Sequence, residues 1–396
     1  MNGNMEKKNL LNLPLYFSLV IFIISLFCYS MLVVHFPLLW MKQDLIVYYT
    51  AGKYALAGKN IYTFGSTFAD FIYPSFTALF FAILALFPFV ISKWVITLGS
   101  LGALLVSCVI VLRFAGYKRR ETLWSQTLFF SAILLWLEPV MQTLEYGQIN
   151  LILMALILLG FYYRKIPLCS GILFGLAAGI KLTPLIFIPY LFLIGCKKTS
   201  GIALLIMLVT IIISFIFLPA SSWMYWTTLL SQTDRIGGMS LIGNQSLYAM
   251  LNRSLGNSFL PYWYLSEALV GISGLWIAIY IYKRKYALLS LLLCAITGLL
   301  ISPVSWSHHW VWIAPLLLYL FFVIYRTKNI FGWIAFSAVF ILFCWLTPII
   351  PNLSSMHHIL LINIPVLHQV SFLQENAYVL FGLLCLLLVM LFVIVR

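Results

Sequence analysis

The chain has 396 residues, 64% of them apolar and only 8% charged, against about 25% charged in an average soluble domain. This excludes a secreted or cytosolic globular enzyme and a disordered scaffold, and leaves apolar sequence for about twelve membrane helices of roughly 20 residues each. The net charge of +14 therefore calls first for a topological explanation, and no basic run is long enough to suggest a nucleic-acid partner.

Lys7 and Lys8 precede an apolar stretch from Leu13 to Trp40. It is too long for the core of a cleaved signal and lacks a small-residue cleavage site, so it reads as a retained anchor. Spanning helices are expected near 14–36, 94–113, 124–143, 149–163, 200–219, 263–282, 286–302, 310–325, 330–348 and 376–395. Phe71 to Val90 is also long enough to cross, but crossing would put Lys118-Arg119-Arg120, Arg164-Lys165 and Lys283-Arg284-Lys285 on the outside, against the positive-inside rule. Tyr73 to Phe89 is instead expected as an outer-face helix lying along or dipping into the bilayer. Leu168 to Cys196 sits between Arg164-Lys165 and Lys197-Lys198, both expected on the cytoplasmic side, so it must enter and return. Two short helices meeting near Thr183-Pro184 satisfy this. Each arm is about 20 Å long, short of a roughly 30 Å hydrocarbon core, which places Lys181 inside the membrane plane below a polar cavity.

The expected fold is thus an all-α polytopic membrane protein with about twelve transmembrane helices, the short hairpin counted as two, together with outer-face juxtamembrane helices. Both termini are expected in the cytoplasm. It forms one integral membrane domain over 1–396, with a first outer loop at 41–93 and a second large outer loop at 220–262. In this topology sixteen basic and two acidic residues are cytoplasmic, and seven of each lie outside or in the outer half. All six histidines fall at or near the outer face, where chemistry is expected. The seven cysteines lie in apolar spans or at cytoplasmic ends and imply no disulfide framework.

Five segments carry polar residues suited to chemistry. Asp44, directly after the first helix, is placed either to activate an acceptor hydroxyl as a general base or to cap the helix that follows. Glu145-Tyr146-Gly147-Gln148-Ile149-Asn150 is a polar break whose glycine turn lets Glu145, Gln148 and Asn150 converge on sugar hydroxyls, or is a short capped turn. Lys181, ionisable within a membrane hairpin, is a functional residue by default, its alternative being to snorkel toward headgroups. Gly243-Asn244-Gln245-Ser246 and Arg253 lie in the second loop, where Arg253 offers a planar fork for phosphate or a headgroup anchor. Ser302-Pro303-Val304-Ser305-Trp306-Ser307-His308-His309 ends one helix and begins the next. Adjacent helical side chains point about 100° apart, so only one of the two histidines is expected to face the site. His357-His358 is a second doublet, read as a surface loop.

Taken in order, Asp44 with Tyr48-Tyr49, Gly58 to Tyr62, Tyr73-Pro74, Gly147-Gln148-Ile149-Asn150, Gly175 to Lys181 with Pro184, Asn244-Gln245-Ser246 with Arg253, and Ser302 to Trp306 with His308-His309 make the chain resemble glycosyltransferase family 87. This is a family of polyprenol-phosphate-sugar-dependent enzymes in the GT-C superfamily, and the likeness spans roughly residues 40 to 315. Ser75 stands where the family pattern usually has a second proline. The resemblance implies a GT-C-like enzyme that takes a hexose, mannose in most family members, from a polyprenyl phosphate on the outer leaflet and adds it to a glycan or glycolipid acceptor. It makes Asp44 the catalytic base, and Lys181, Arg253 and one of His308 or His309 the groups that hold the departing phosphate. Tyr48, Tyr73, Glu145, Gln148, Asn150, Asn244, Gln245, Ser305 and Trp306 are the expected sugar or acceptor contacts.

The expected reaction is a single displacement with inversion through an oxocarbenium-like transition state. The expected setting is a bacterial plasma membrane with the active site on the outer face. No nucleotide-binding loop is visible and no cofactor is expected, although a divalent ion near Asp44 stays open. The chief rival is a transporter or flippase of a lipid-linked sugar, which would show repeated halves and ionisable groups near the midplane. A second rival is an outer-face glycan polymerase, with its polar residues concentrated in one or two large loops.

Overall fold

The computed structural model describes residues 11–64, 70–232, 235, 237–345 and 371–395. Among these residues the regular structure is helical: α1 (Leu15–His35), α2 (Gln43–Leu56), α3 (Ser75–Ala85), α4 (Phe89–Phe114), α5 (Arg120–Leu134), α6 (Glu138–Tyr146), α7 (Asn150–Tyr162), α8 (Pro167–Ile180), α9 (Phe187–Leu193), α10 (Lys197–Phe217), α11 (Pro219–Thr227), α12 (Leu247–Leu255), α13 (Leu260–Lys283), α14 (Ala287–Ile301), α15 (Ile313–Thr327), α16 (Ile330–Trp345), α17 (Ser371–Glu375) and α18 (Ala377–Val395). Among the described residues, short 3-10 segments precede α2, α9, α12, α13 and α15. The doublet His357-His358 lies outside the described residues.

Among the described residues, α1, α4, α10, α13 and the segment Ser307–Thr327 are long and apolar enough to cross a membrane. Shorter apolar helices stand beside them. Rows of exposed apolar side chains, such as Ile23 and Phe27 on α1, Ile212 and Ile216 on α10, and Leu269 and Ile272 on α13, would be untenable in water and suit acyl chains. The chain is an integral membrane protein. Its buried centre is built from α4, α7, α8, α14 and α15.

The expected single helix over 124–143 is two helices, α5 and α6, bent by 81°. Pro139 in the first turn of α6 explains the break: it has no N–H for Leu135 and its ring crowds that carbonyl. Helix α3 has 11 residues, about 16 Å at 1.5 Å per residue, too short to span. In the expected hairpin, α8 has 14 residues and α9 has seven, and the chain turns extended at Lys181, two residues before the expected Thr183-Pro184. Pro184 cannot donate to the Ile180 carbonyl. The Thr77 hydroxyl of α3 donates to that carbonyl instead.

Helix α8 lies close against α10 because Gly171, Gly175 and Gly179 share one face. A Cβ on Gly175 would come within 2.5 Å of the Ala203 carbonyl oxygen. Small residues at this spacing let membrane helices approach backbone to backbone. The close approach fixes the end of α8 and with it Lys181.

Candidate active site

One cavity of about 1090 Å³ opens where the first turn of α2, the segment before α3, the end of α6, the α8–α9 break, the loop before α12 and the segment between α14 and α15 meet. Asp44, Tyr48, Tyr73, Gln148, Lys181, Trp306, His308 and His309 line it. Its remaining wall is largely apolar, with Leu185, Ile186, Leu229, Leu241, Ile242 and Ile301 among the contributors.

Asp44 sits in the first turn of α2, where free backbone N–H groups favour a carboxylate. The residue before the helix, Lys42, has φ 58° and ψ 53°, a left-handed conformation costing a non-glycine residue about 1–2 kcal/mol. Opposite it, α6 ends on Gly147 at φ 69°. A Cβ there would lie 2.7 Å from that of Leu45, so only glycine lets the end of α6 abut the start of α2.

Gln148, next in the chain, reaches Asp44. Its Nε2 donates to Asp44 Oδ2, and its Oε1 accepts from the Tyr73 hydroxyl at 3.1 Å. Tyr73 has then used its proton, so Tyr48 donates to the Tyr73 oxygen at 3.0 Å. This polar chain leaves the amide one orientation. Burial raises the Asp44 pKa to about 6, opposed by the Gln148 hydrogen bond and the Lys181 charge. The group is mostly ionised at pH 7 and close enough to that pH to take a proton. Burial also holds the phenols of Tyr48 and Tyr73 well above their usual range, so both remain donors.

Lys181, buried at 4% exposure, donates to Asn150 Oδ1 at 2.9 Å and meets His309 Nε2 at 3.0 Å. Its ammonium also lies 5.1 Å from the Tyr73 ring centroid. With Lys181 donating, His309 Nε2 is the lone-pair nitrogen and the ring proton lies on Nδ1. Asn150 Nδ2 donates to the His308 carbonyl at 2.9 Å, and Thr143 Oγ1 to the same oxygen at 3.1 Å. Both histidines line the cavity, where one had been expected: the 3-10 turn Ser307–Trp312 sets neighbouring side chains about 120° apart, His308 against Tyr146 and His309 against Lys181, and the cavity reaches both. The two rings stand edge to face at 4.8 Å.

The other expected contacts are elsewhere. Arg253 does not reach the cavity: its terminal nitrogens donate to the carbonyls of Leu241, Asn244 and Glu375 and to Asn376 Oδ1. Asn244 and Gln245 are fully buried and hold backbone. Asn244 donates to the Met239 and Pro303 carbonyls and accepts from Ser305 N–H. Gln245 donates to the Ile242 and Glu375 carbonyls and accepts from Tyr378 N–H. Ser305 and Asn150 line a small void of about 40 Å³ behind His309. Glu145 is buried beside Lys42 rather than in the cavity wall.

Several cavity residues were not among the expected contacts. Arg235 pairs with Asp70 at 3.4 Å, and both line the cavity. Glu267 of α13 lines it too, as does Gln142, which accepts from the Ser307 hydroxyl. Of these only Glu267 was findable, as an acid in an otherwise apolar span. Among the described residues no group of three potential metal ligands forms.

The sequence matches the family model described as glycosyltransferase family 87 over residues 71–303. The chain is 30% identical over 308 residues to a polyprenol-phosphate-mannose-dependent alpha-(1-2)-phosphatidylinositol mannoside mannosyltransferase of Mycobacterium tuberculosis, covering 73% of this chain and 72% of that protein. It is 31% identical to the protein of that name from Mycolicibacterium smegmatis, covering 78% and 76%. It is also 31% identical to a polyprenol-phosphate-mannose-dependent alpha-(1-2)-phosphatidylinositol pentamannoside mannosyltransferase of the same organism, covering 73% and 72%. No solved structure matches significantly. With more than half of its length matched by the family model and relatives of this identity over most of their length, the chain belongs to glycosyltransferase family 87.

Proposed function

We propose that this enzyme transfers a hexose, mannose by analogy with its named relatives, from a polyprenyl phosphate to a hydroxyl of a glycolipid or glycan acceptor. The observation carrying this reading is that Asp44, held by Gln148, and Lys181, held by Asn150 and His309, face one cavity with a largely apolar wall. A lipid-linked donor needs both: apolar surface for its isoprenoid and cations for its phosphate.

In the proposed reaction Asp44 takes the acceptor hydroxyl proton as that oxygen bonds to the anomeric carbon. The bond from that carbon to the phosphate oxygen breaks, its electron pair leaves with the polyprenyl phosphate, and the configuration inverts. Lys181 and the two histidines stand where donors and charge assist that departure to the extent that they bind the phosphate better as charge grows on it. Tyr48 and Tyr73 hold the Gln148 amide that orients the base, and Trp306 offers an apolar face to a sugar ring.

The proposed topology keeps the twelve helices, both termini in the cytoplasm, and the site on the outer face of the plasma membrane. Its support is the distribution of lysine and arginine: Lys118-Arg119-Arg120, Arg164-Lys165, Lys197-Lys198 and Lys283-Arg284-Lys285 all stand at or between helix ends, and none of them lines the cavity.

The test is transfer of labelled mannose from a synthetic polyprenyl-phosphate mannose to a membrane lipid extract, by wild-type protein and by Asp44→Asn. Transfer by wild type and not by the variant supports both the reaction and its base. No transfer, with protein-dependent movement of the donor across vesicle membranes, would replace this reading with a flippase.

A further inference from the structure

Lys42 is the unexplained residue behind this site. A lysine wholly buried at 0% exposure and in a left-handed conformation is doubly disfavoured, and such outliers persist where the surrounding structure demands them. Its ammonium donates to the Leu144 carbonyl, in the last turn of α6, and lies 4.4 Å from the Trp40 ring centroid. A cation at a helix C-terminus is favourably placed. Burial lowers the Lys42 pKa to about 7, and the charge of nearby Glu145, one residue beyond Leu144, opposes that fall. Three residues beyond Glu145 comes Gln148, whose amide holds Asp44, two residues after Lys42.

We propose that Lys42 is a positioning residue for the catalytic base, clamping the end of α6 to the start of α2 so that Gln148 and Asp44 stay in register. Lys42 touches neither the cavity nor any reacting atom. Its ammonium meets Leu144 on the segment that leads to Gln148 and the Trp40 ring on the segment that leads to Asp44. The left-handed turn at Lys42 sends the chain into α2 against Gly147, where a Cβ on that glycine would lie 3.2 Å from Lys42 Cβ. The Lys42 head group then holds the end of α6 through the Leu144 carbonyl. Without the clamp, the α2 terminus is free to relax and the amide no longer meets the carboxylate. This inference rests on Asp44 being the base. The titratable groups facing Asp44 are Tyr48 on its own helix, Tyr73, Lys181, Glu145 and Tyr146, so a shift in its titration must be separated from changes in Glu145.

The variant is therefore Lys42→Met with Glu145→Gln, which preserves both side-chain shapes and leaves no buried charge unpaired. Glu145→Gln alone is the control for the charge. In the mannosyl-transfer assay the double variant should lower kcat by about ten- to a hundredfold, as misplaced catalytic groups do, with donor KM unchanged. The acid limb of its pH–rate profile should move upward by about half a pH unit, as the carboxylate loses its hydrogen bond. Glu145→Gln alone keeps the Lys42–Leu144 hydrogen bond that forms the clamp and should do neither. Placed on a Gln148→Leu background, the double variant should add little further loss, since the clamp works through Gln148. A full multiplicative loss on that background, an unmoved acid limb, or the same effects from Glu145→Gln alone would overturn the proposal. A wild-type protein without transferase activity would overturn the functional reading itself, and the positioning role with it.

Discussion

Gln148 and Asp44, 104 positions apart, are joined by a hydrogen bond from the amide Nε2 to carboxylate Oδ2. The bond has a direction, because Tyr73 donates to the other end of the amide. Gln148 therefore favours the charged carboxylate and works against the burial that raises its pKa to about 6. Replacing Gln148 by leucine should raise that pKa further. The acid limb of the kcat/KM profile, which reports the free enzyme and lies near pH 6 in wild type, should move to higher pH, with a larger loss of activity at pH 6.5 than at pH 8. An unmoved limb would dissociate the limb from Asp44.

Asp44→Asn keeps the amide-sized side chain and removes the proton acceptor. Turnover should fall by about 10²–10⁴-fold, the usual worth of a general base, while the donor still binds. Single-turnover transfer together with donor binding to the purified variant would separate these effects; near wild-type turnover would exclude Asp44 as the base.

Lys181→Met keeps the apolar stem and removes the ammonium that meets Asn150 and His309. If the ammonium steadies the leaving phosphate, kcat/KM should drop by about 10²–10³-fold. The loss should be larger for a donor with a full phosphate charge than for a neutral phosphate triester analogue, measured side by side.

Arg253→Ala tests a residue that the resemblance assigned to the donor and the structure assigns to the loop before α12. Its removal takes a donor from the Asn244 carbonyl and from buried Asn376 Oδ1, and a buried acceptor left unpaired is costly; the Leu241 and Glu375 carbonyls keep the Asn244 N–H and the Gln245 amide. The detergent-solubilised enzyme should melt several degrees lower while donor KM stays unchanged. A raised KM with unchanged melting would return Arg253 to the substrate.

Much of the site was legible because the bilayer makes polar residues conspicuous. Asp44, Gln148, Lys181 and His309 each interrupt apolar sequence, and the structure brings all four to the cavity. The hairpin was legible from charge at both ends and too few residues between. What sequence cannot distinguish is a polar side chain turned toward a ligand from one turned toward a stray carbonyl. Arg253, Asn244 and Gln245 fall on the second side of that divide. The α5–α6 bend was hidden within an apolar run, although Glu138-Pro139 carried the signal of a new helix start. Lys42 was counted only as one more outer charge, and its burial depends on α6, about a hundred residues away.

Asn244 and Gln245 have a consequence for which substitutions this loop can tolerate. Each amide uses its NH₂ to hold two carbonyls and its oxygen to receive a backbone N–H. Aspartate or glutamate has no N–H to give, and serine or histidine cannot span the same three contacts. The loop before α12 is thus laced to the segment before His308 and to the start of α18 by groups that must be donor and acceptor at once. Acidic replacements, which would look conservative in a sugar-binding role, are the ones that unlace it.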